Sequence, residues 1–149
     1  MNAFVTAGAG FLLAVLWFDL MFDVQAAGHD GEQLPEPVLA SIAAYYARVT
    51  TAARPMNRLI ATAMLATLAA IVVQIAKGEG PVWLGWVSLA LALPAIVLAG
   101  ARTVPSAVRL GRRRDPPAIQ TRLARAVLGQ HVFCFAAIAA VIVLQLAAG

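Results

Sequence analysis

The chain has little charge and almost no cysteine. Only 12% of its 149 residues are charged, against about 25% in soluble proteins, which excludes an ordinary soluble enzyme, a disordered chain and a nucleic-acid-binding domain. The single cysteine, Cys134, excludes an intramolecular disulfide and a cysteine-cluster metal site. Glycine-rich phosphate loops, a Ser/His/Asp constellation and Cys-x-x-Cys pairs are also missing, so nothing indicates an NTPase, a hydrolase or a thiol-redox protein.

Long apolar runs take the place of those features, and 62% of the residues are hydrophobic. A helix needs about 20 mostly apolar residues to cross a bilayer core, and the runs lack the alternation of a β-barrel strand. The predicted fold is therefore an all-α, antiparallel four-helix membrane bundle, with residues 1–149 forming a single domain. The predicted spans are about 3–24, 59–76, 82–101 and 127–148. The first lacks a preceding basic residue and contains Asp19 and Asp23 near its end, so we expect a retained span, not a signal peptide.

The basic residues are distributed asymmetrically. Ten of the eleven Lys and Arg residues lie in or beside the first and third connections, which share one side of a four-span protein. The positive-inside rule places that side in the cytoplasm. The sequence thus predicts a multi-pass protein of the cell (inner) membrane with both termini outside the cytoplasm.

The first connection contains a predicted helix at about 36–53. Glu36-Pro37 is typical of a helix start, because proline suits the first helical position and an acid suits the N-terminal dipole. An apolar stripe then indicates an amphipathic helix that lies along the membrane surface or caps the bundle. The stripe consists of Val38, Ile42, Tyr45, Val49 and Ala53.

The third connection, 102–126, is strongly basic. Asp115-Pro116-Pro117 predicts a turn, and the flanking stretches 105–114 and 118–126 are expected to extend the third and fourth helices into the cytoplasm. The run Arg112-Arg113-Arg114 is either a topology determinant or a clamp for anionic lipid.

Two pairs of ionisable residues lie at matching depths in the first two spans. Asp19 and Asp23 are four residues apart and share one helix face, as do Arg54 and Arg58. Carboxylates facing guanidinium groups would neutralise each other through bidentate hydrogen bonds. Such ion pairs can simply fix helix register, or they can line a polar pocket for an anionic or phenolic molecule, a lipid head group or a quinone ring. The predicted pocket residues are Asp19, Asp23, Arg54, Asn57, Arg58 and Arg102.

His131 is expected at a similar depth in the fourth span. It is an interface-level histidine, a proton-handling group, or a metal ligand together with Asp19 and Asp23. Asp19 and His131 are the candidate catalytic residues. No spacing in the sequence indicates a metal site or a cofactor.

A set of short motifs in the C-terminal third carries a family resemblance. Thr103-Val104-Pro105, Arg109-Leu110, Asp115-Pro116, Arg122-Leu123-x-Arg125 and His131 resemble the anthrone oxygenase-like small four-helix membrane proteins, a family otherwise described as a domain of unknown function. The resemblance implies Arg109, Arg122 and His131 as matching ligand-binding positions, and an oxygenase that relies on substrate-assisted oxygen chemistry. Ser106 and the long first connection depart from the family pattern.

Two functions follow as hypotheses. The first is a ligand-binding or oxygenase-like membrane protein that binds or oxidises a phenolic, quinone-like or anionic molecule at the cytoplasmic end of the bundle. The alternative is a non-enzymatic accessory or assembly subunit of a larger membrane complex. A carrier or channel is disfavoured, because no chain of ionisable residues crosses the bilayer. The expected partners are the lipid bilayer, anionic lipid at 102–126, and a homo-oligomer or a larger complex.

Overall fold

The computed structural model describes residues 1–148, apart from the side chain of Arg54, and the only regular secondary structure in this part of the chain is helix, with no strand. The α-helices are α1 (Asn2–Asp23), α2 (Glu36–Ala47), α3 (Arg54–Lys77), α4 (Val82–Leu98), α5 (Val104–Arg112) and α6 (Pro117–Ala148). Two wider π-turns interrupt the order. The first, Arg48–Ala52, follows α2, and the second, Ala99–Thr103, joins α4 to α5 in one continuous helical segment.

Four helical segments are long and apolar enough to cross a membrane, with mean hydropathies of 1.9 to 2.3. They are Asn2–Ala26, Pro55–Lys77, Val82–Arg112 and Pro117–Ala148. Each contains one of the four predicted apolar segments and several extend beyond it. The third connection is mostly helical, and only 113–116 lies outside the second π-turn, α5 and α6. A proline lies at or beside the start of each helix from α2 to α6. Proline is suited to the first helical turn because it lacks the backbone N–H, which would have no intrahelical partner there.

The bundle core lies where α1 and α4 pack against α6 and where α3 packs against both α1 and α4. Small and branched residues fill it, among them Val5, Ala9, Ile71 and Val141. Small residues let the helix backbones approach closely, and van der Waals packing then stabilises the contacts between such apolar helices. The core therefore fixes the positions of the four long helices.

One end of the bundle is closed by a buried amide cluster. Gln74 on α3 and Gln145 on α6 exchange hydrogen bonds of 3.1 and 3.2 Å, and Gln145 also donates to the Ser88 hydroxyl on α4 at 2.9 Å. Beside this cluster, α3 ends at Gly78 in the left-handed conformation (φ 64°), which glycine adopts without steric penalty. The short turn that follows holds α3 and α4 together at this end.

At the opposite end, α2 packs on the bundle with a face different from the predicted one. The buried residues are Leu39, Ile42, Ala43 and Tyr46, which contact α5 and α6, whereas Val38, Tyr45 and Val49 are half-buried at the edge. Both stripes have helical spacing and share Ile42, so the sequence pattern alone permits either face. Helix α2 ends at Ala47, and the predicted continuation to residue 53 is a π-turn as far as Ala52.

Glycine at position 111 allows α5 to approach α2 closely. A Cβ atom at Gly111 would lie 2.7 Å from the backbone nitrogen of Ala47 and 2.9 Å from its Cα. Because both atoms belong to the backbone, no side-chain rotation can relieve the contact. The close approach places the tyrosines of α2 over the end of the bundle.

We expect Gly111→Ala to destabilise the protein by about 1 kcal/mol, because overpacking of about 1–3 kcal/mol outweighs the helix propensity gained from alanine, about 0.5–1 kcal/mol. The matched control is Gly129→Ala in α6, where an added Cβ meets nothing within 4 Å. Denaturant or thermal unfolding in detergent measures both. A Gly111→Ala protein as stable as the control would contradict the close approach.

Candidate functional site

A cavity of about 580 Å³ lies at the α2 end of the bundle, within the size range of small-molecule sites. It is bounded by all six α-helices, and both π-turns contribute to its wall. Most of the lining is apolar and includes Leu16, Ile60, Met64, Ile96 and Ile138. The cavity therefore suits a largely apolar occupant.

Five polar side chains from three helices meet at one side of this cavity. They form a cluster, called the Asp–Tyr–His cluster below, that consists of Asp19, Asp23, Tyr45, Tyr46 and His131. His131 Nδ1 lies 2.6 Å from Oδ2 of Asp23, and the Tyr46 hydroxyl donates to Oδ1 of the same carboxylate at 2.6 Å. The Tyr45 hydroxyl donates to Oδ1 of Asp19 at 2.7 Å.

Members of the cluster differ in their access to the cavity. Asp19, Tyr45, Tyr46 and His131 line it, whereas Asp23 is 0% exposed and lies behind the imidazole. A buried carboxylate is tolerated only when hydrogen bonds replace its lost hydration. The contacts to His131 and Tyr46 supply them.

This geometry determines which nitrogen of His131 carries a proton. An ionised carboxylate only accepts hydrogen bonds, so the 2.6 Å contact with Asp23 requires a proton on Nδ1. In the neutral imidazole, Nε2 is then the basic nitrogen, and it lies 3.7 Å from Oδ2 of Asp19. Asp23 thus orients His131, and Asp19 and His131 present acceptors at the cavity wall.

The two tyrosines are neutral hydrogen-bond donors. Burial, together with the Asp19 carboxylate, raises the pKa of Tyr45, and burial with the Asp23 carboxylate raises the pKa of Tyr46. Each hydroxyl therefore keeps its proton at neutral pH. Phe22 stacks on Tyr45 with ring centroids 4.1 Å apart, which fixes the orientation of that ring.

The structure corrects the predicted pairing of carboxylates with guanidinium groups for Arg58. Asp19 and Asp23 bond to tyrosine hydroxyls and to His131, and Arg58 is exposed at the protein surface. The side chain of Arg54 lies outside the described residues. Matching depth and spacing place two pairs at the same height on their helices, but they leave the rotation of each helix about its axis undetermined.

Asn57 and three arginines complete the predicted ligand-binding set. Asn57 lines the cavity and donates to the backbone carbonyl of Thr50, which ties the first π-turn to α3. Arg102 and Arg122 are exposed and lie outside the cavity lining, and Arg109 pairs with Asp115 at 2.8 Å. Of the predicted set, the described cavity lining therefore contains Asp19, Asn57 and His131.

Sequence reasoning missed the role of the tyrosines. Tyr46 shares a helical stripe with Leu39, Ile42 and Ala43, and a buried tyrosine hydroxyl needs a polar partner. That stripe, together with the two acids of the first span, could have indicated a hydrogen bond between Tyr46 and one of those acids. It was obscured because Tyr45 belongs to the overlapping stripe that was predicted instead.

The described part of the chain contains no arrangement of side chains typical of a metal site. Asp19, Asp23 and His131 come together, but no group of three or more His, Cys, Asp or Glu side chains is arranged to hold a metal ion among the residues searched. Cys134 lines the cavity and its thiol donates to the Ala95 carbonyl at 3.4 Å. These side chains are arranged for hydrogen bonding.

Comparisons with protein-family models, with curated proteins and with solved structures found no match for this chain. The resemblance to anthrone oxygenase-like proteins stays a prediction. Of the positions that it implies, His131 lines the cavity, whereas Arg109 and Arg122 do not.

We expect Tyr46→Phe to lower the free energy of unfolding by about 1–3 kcal/mol, because the fully buried Asp23 carboxylate loses one of its donors. Tyr45→Phe is the matched control. Its partner Asp19 lies at the cavity wall with a side chain 15% exposed, so water can replace the lost hydroxyl there. Unfolding in detergent compares the two variants. Equal losses would contradict the distinction between a buried and a cavity-facing carboxylate.

Proposed function

We propose that this protein is an integral membrane protein that binds a small, largely apolar molecule carrying a phenol or quinone-type oxygen. The observation that carries the proposal is the cavity itself. Its wall is largely apolar, and Asp19, Tyr45, Tyr46 and His131 meet at one side of it. The other polar side chains in the lining, Thr50, Asn57 and Thr103, donate to backbone carbonyls. A flat apolar ring with one hydrogen-bonding oxygen complements that distribution of groups.

Three features support placement in a membrane as an antiparallel bundle. Four helical segments are long and apolar enough to span it, and large apolar side chains such as Phe4, Leu65, Val143 and Leu146 are 64–70% exposed on the described surface. The long helices that follow one another in the chain pack as neighbours, as in up-down bundles. Under the positive-inside rule, the Arg-rich end lies in the cytoplasm and both termini lie outside. The cavity then lies at the cytoplasmic end.

The chemistry of the cluster favours a phenol or a quinone over an anion. A phenol hydroxyl can donate to the Asp19 carboxylate or to Nε2 of neutral His131, whereas a quinone carbonyl can accept from Nε2 when His131 is protonated. Among the described side chains, the lining contains Asp19 and no arginine or lysine. An anionic ligand would therefore meet a like charge.

The resemblance to anthrone oxygenase-like proteins would add an oxidation to this binding. For such a reaction, the contribution of this chain's residues is proton acceptance: His131 Nε2 or the Asp19 carboxylate takes the proton from the phenol oxygen. Oxygenase activity itself stays a prediction from the resemblance. The role of an accessory subunit also stays a prediction.

The test of binding uses 1-naphthol and menadione, with 1-naphthyl phosphate as the anionic probe, in equilibrium dialysis of the detergent-purified protein. We expect saturable binding of the first two, and about a tenfold weaker affinity for 1-naphthol in Asp19→Asn, since a charge-assisted hydrogen bond is lost. Asp30→Asn, an exposed loop aspartate, is the matched control. The proposal fails if neither probe binds saturably, if Asp19→Asn binds 1-naphthol as the wild type does, or if the phosphate binds best.

Orientation is testable with single cysteines in a Cys134→Ala background. Glu79→Cys lies in the turn between α3 and α4, and Arg114→Cys lies between α5 and α6. We expect a membrane-impermeant maleimide to label Glu79→Cys in intact cells and Arg114→Cys only after permeabilisation, because the Arg-rich end faces the cytoplasm. The reverse pattern would overturn the proposed orientation.

A further inference from the structure

One side of the cavity lacks a helical wall. Helix α3 packs on α1, on α4 and on the first π-turn, but within the described chain none of its Cα atoms comes within 8 Å of a Cα atom of α5 or of the second π-turn. Helices α3 and α4 are joined by the short turn at the opposite end of the bundle. Pro94 lies within α4, and the second π-turn follows it. Both features are places where a helix bends, and a gap opens between α3 and the α4–α5 segment.

Residues at the edges of this gap both line the cavity and reach the protein surface. Met56 on α3 is 45% exposed, Val104 at the start of α5 is 49% exposed, and Gly100 in the second π-turn is also exposed. All three lie near the Arg-rich ends of segments that are apolar enough to cross a membrane. The gap therefore connects the cavity with the apolar flank of the molecule.

The carboxylate and imidazole groups are on the opposite wall, whereas Asn57 and Thr103, which lie on the elements beside the gap, donate to backbone carbonyls. The Asp–Tyr–His cluster comes from α1, α2 and α6, whereas the edges of the gap come from α3 and the second π-turn. An occupant that satisfies both sides has a polar head directed towards Asp19 and His131 and an apolar end directed towards the gap. In the membrane placement proposed above, that end would meet the hydrocarbon of the bilayer.

We infer that the ligand is a membrane-dissolved lipid with a phenol or quinone head and a long hydrocarbon tail. It enters sideways from the bilayer between α3 and the second π-turn, and its tail extends through the gap while its head contacts Asp19 and His131. This inference rests on the proposed function and names the ligand class for the same cavity. Lateral entry lets the tail stay in hydrocarbon throughout, which removes the cost of transferring it through water.

Gly100→Phe places a bulky side chain at the gap. An added Cβ at Gly100 meets nothing within 4 Å, and φ is not positive there, so the first side-chain atom enters free space on an unstrained backbone. Gly129→Phe is the matched control, because Gly129 has equal free space and lies outside the cavity lining. Both positions are exposed and helical.

The experiment measures dissociation constants of 4-ethylphenol, 4-dodecylphenol and dodecylbenzene for the detergent-purified full chain. The ratio of variant to wild type cancels the partition of each probe into micelles. We expect Gly100→Phe to weaken 4-dodecylphenol binding about tenfold, with 4-ethylphenol changed by less than about twofold. Gly129→Phe should change neither, and dodecylbenzene, which lacks the hydroxyl, should bind more weakly than 4-dodecylphenol.

The outcomes separate this inference from the proposal on which it rests. If the wild type binds neither phenol, the proposed function fails. If both phenols bind but Gly100→Phe weakens them equally, or weakens neither, the tail does not pass through the gap and the inference is overturned. Dodecylbenzene binding as tightly as 4-dodecylphenol would overturn the orientation of the head.

Discussion

The buried carboxylate of Asp23 imposes the strictest requirement on this fold. A fully buried carboxylate requires hydrogen-bond donors that water cannot supply, and Asp23 takes them from His131 on α6 and Tyr46 on α2. These bonds tie the first and last long helices to the short helix between them. The bond to His131 also orients the imidazole, which is one of the polar groups on one side of the cavity wall.

One end of the bundle is closed by hydrogen bonds, and the other end contains the cavity. At one end, amide hydrogen bonds between Gln74, Gln145 and Ser88 hold three helices in contact. At the other end, the second π-turn and the approach of α2, permitted by Gly111, leave a volume that side chains do not fill. π-turns are frequent at functional sites because they redirect a helix without breaking it. Here both π-turns contribute to the cavity wall.

Part of the candidate site could be predicted from the sequence. The cost of placing ionisable groups in apolar helices singled out Asp19, Asp23 and His131, and these three residues do meet. Their partners could not be predicted in the same way. Arg58 matches the acids in depth but lies at the surface, and Tyr46, which is buried against Asp23, belongs to one of two overlapping stripes of α2.

The sequence by itself determined the helical class, four apolar segments and the collection of arginine at one end, because hydropathy, proline positions and charge are local properties of the chain. Only the tertiary structure decided which face of α2 is buried, which side chains bond to Asp19 and Asp23, and where α3 separates from the α4–α5 segment. Those outcomes depend on the rotation and inclination of each helix. Packing between residues distant in the chain sets both, and no local pattern encodes them.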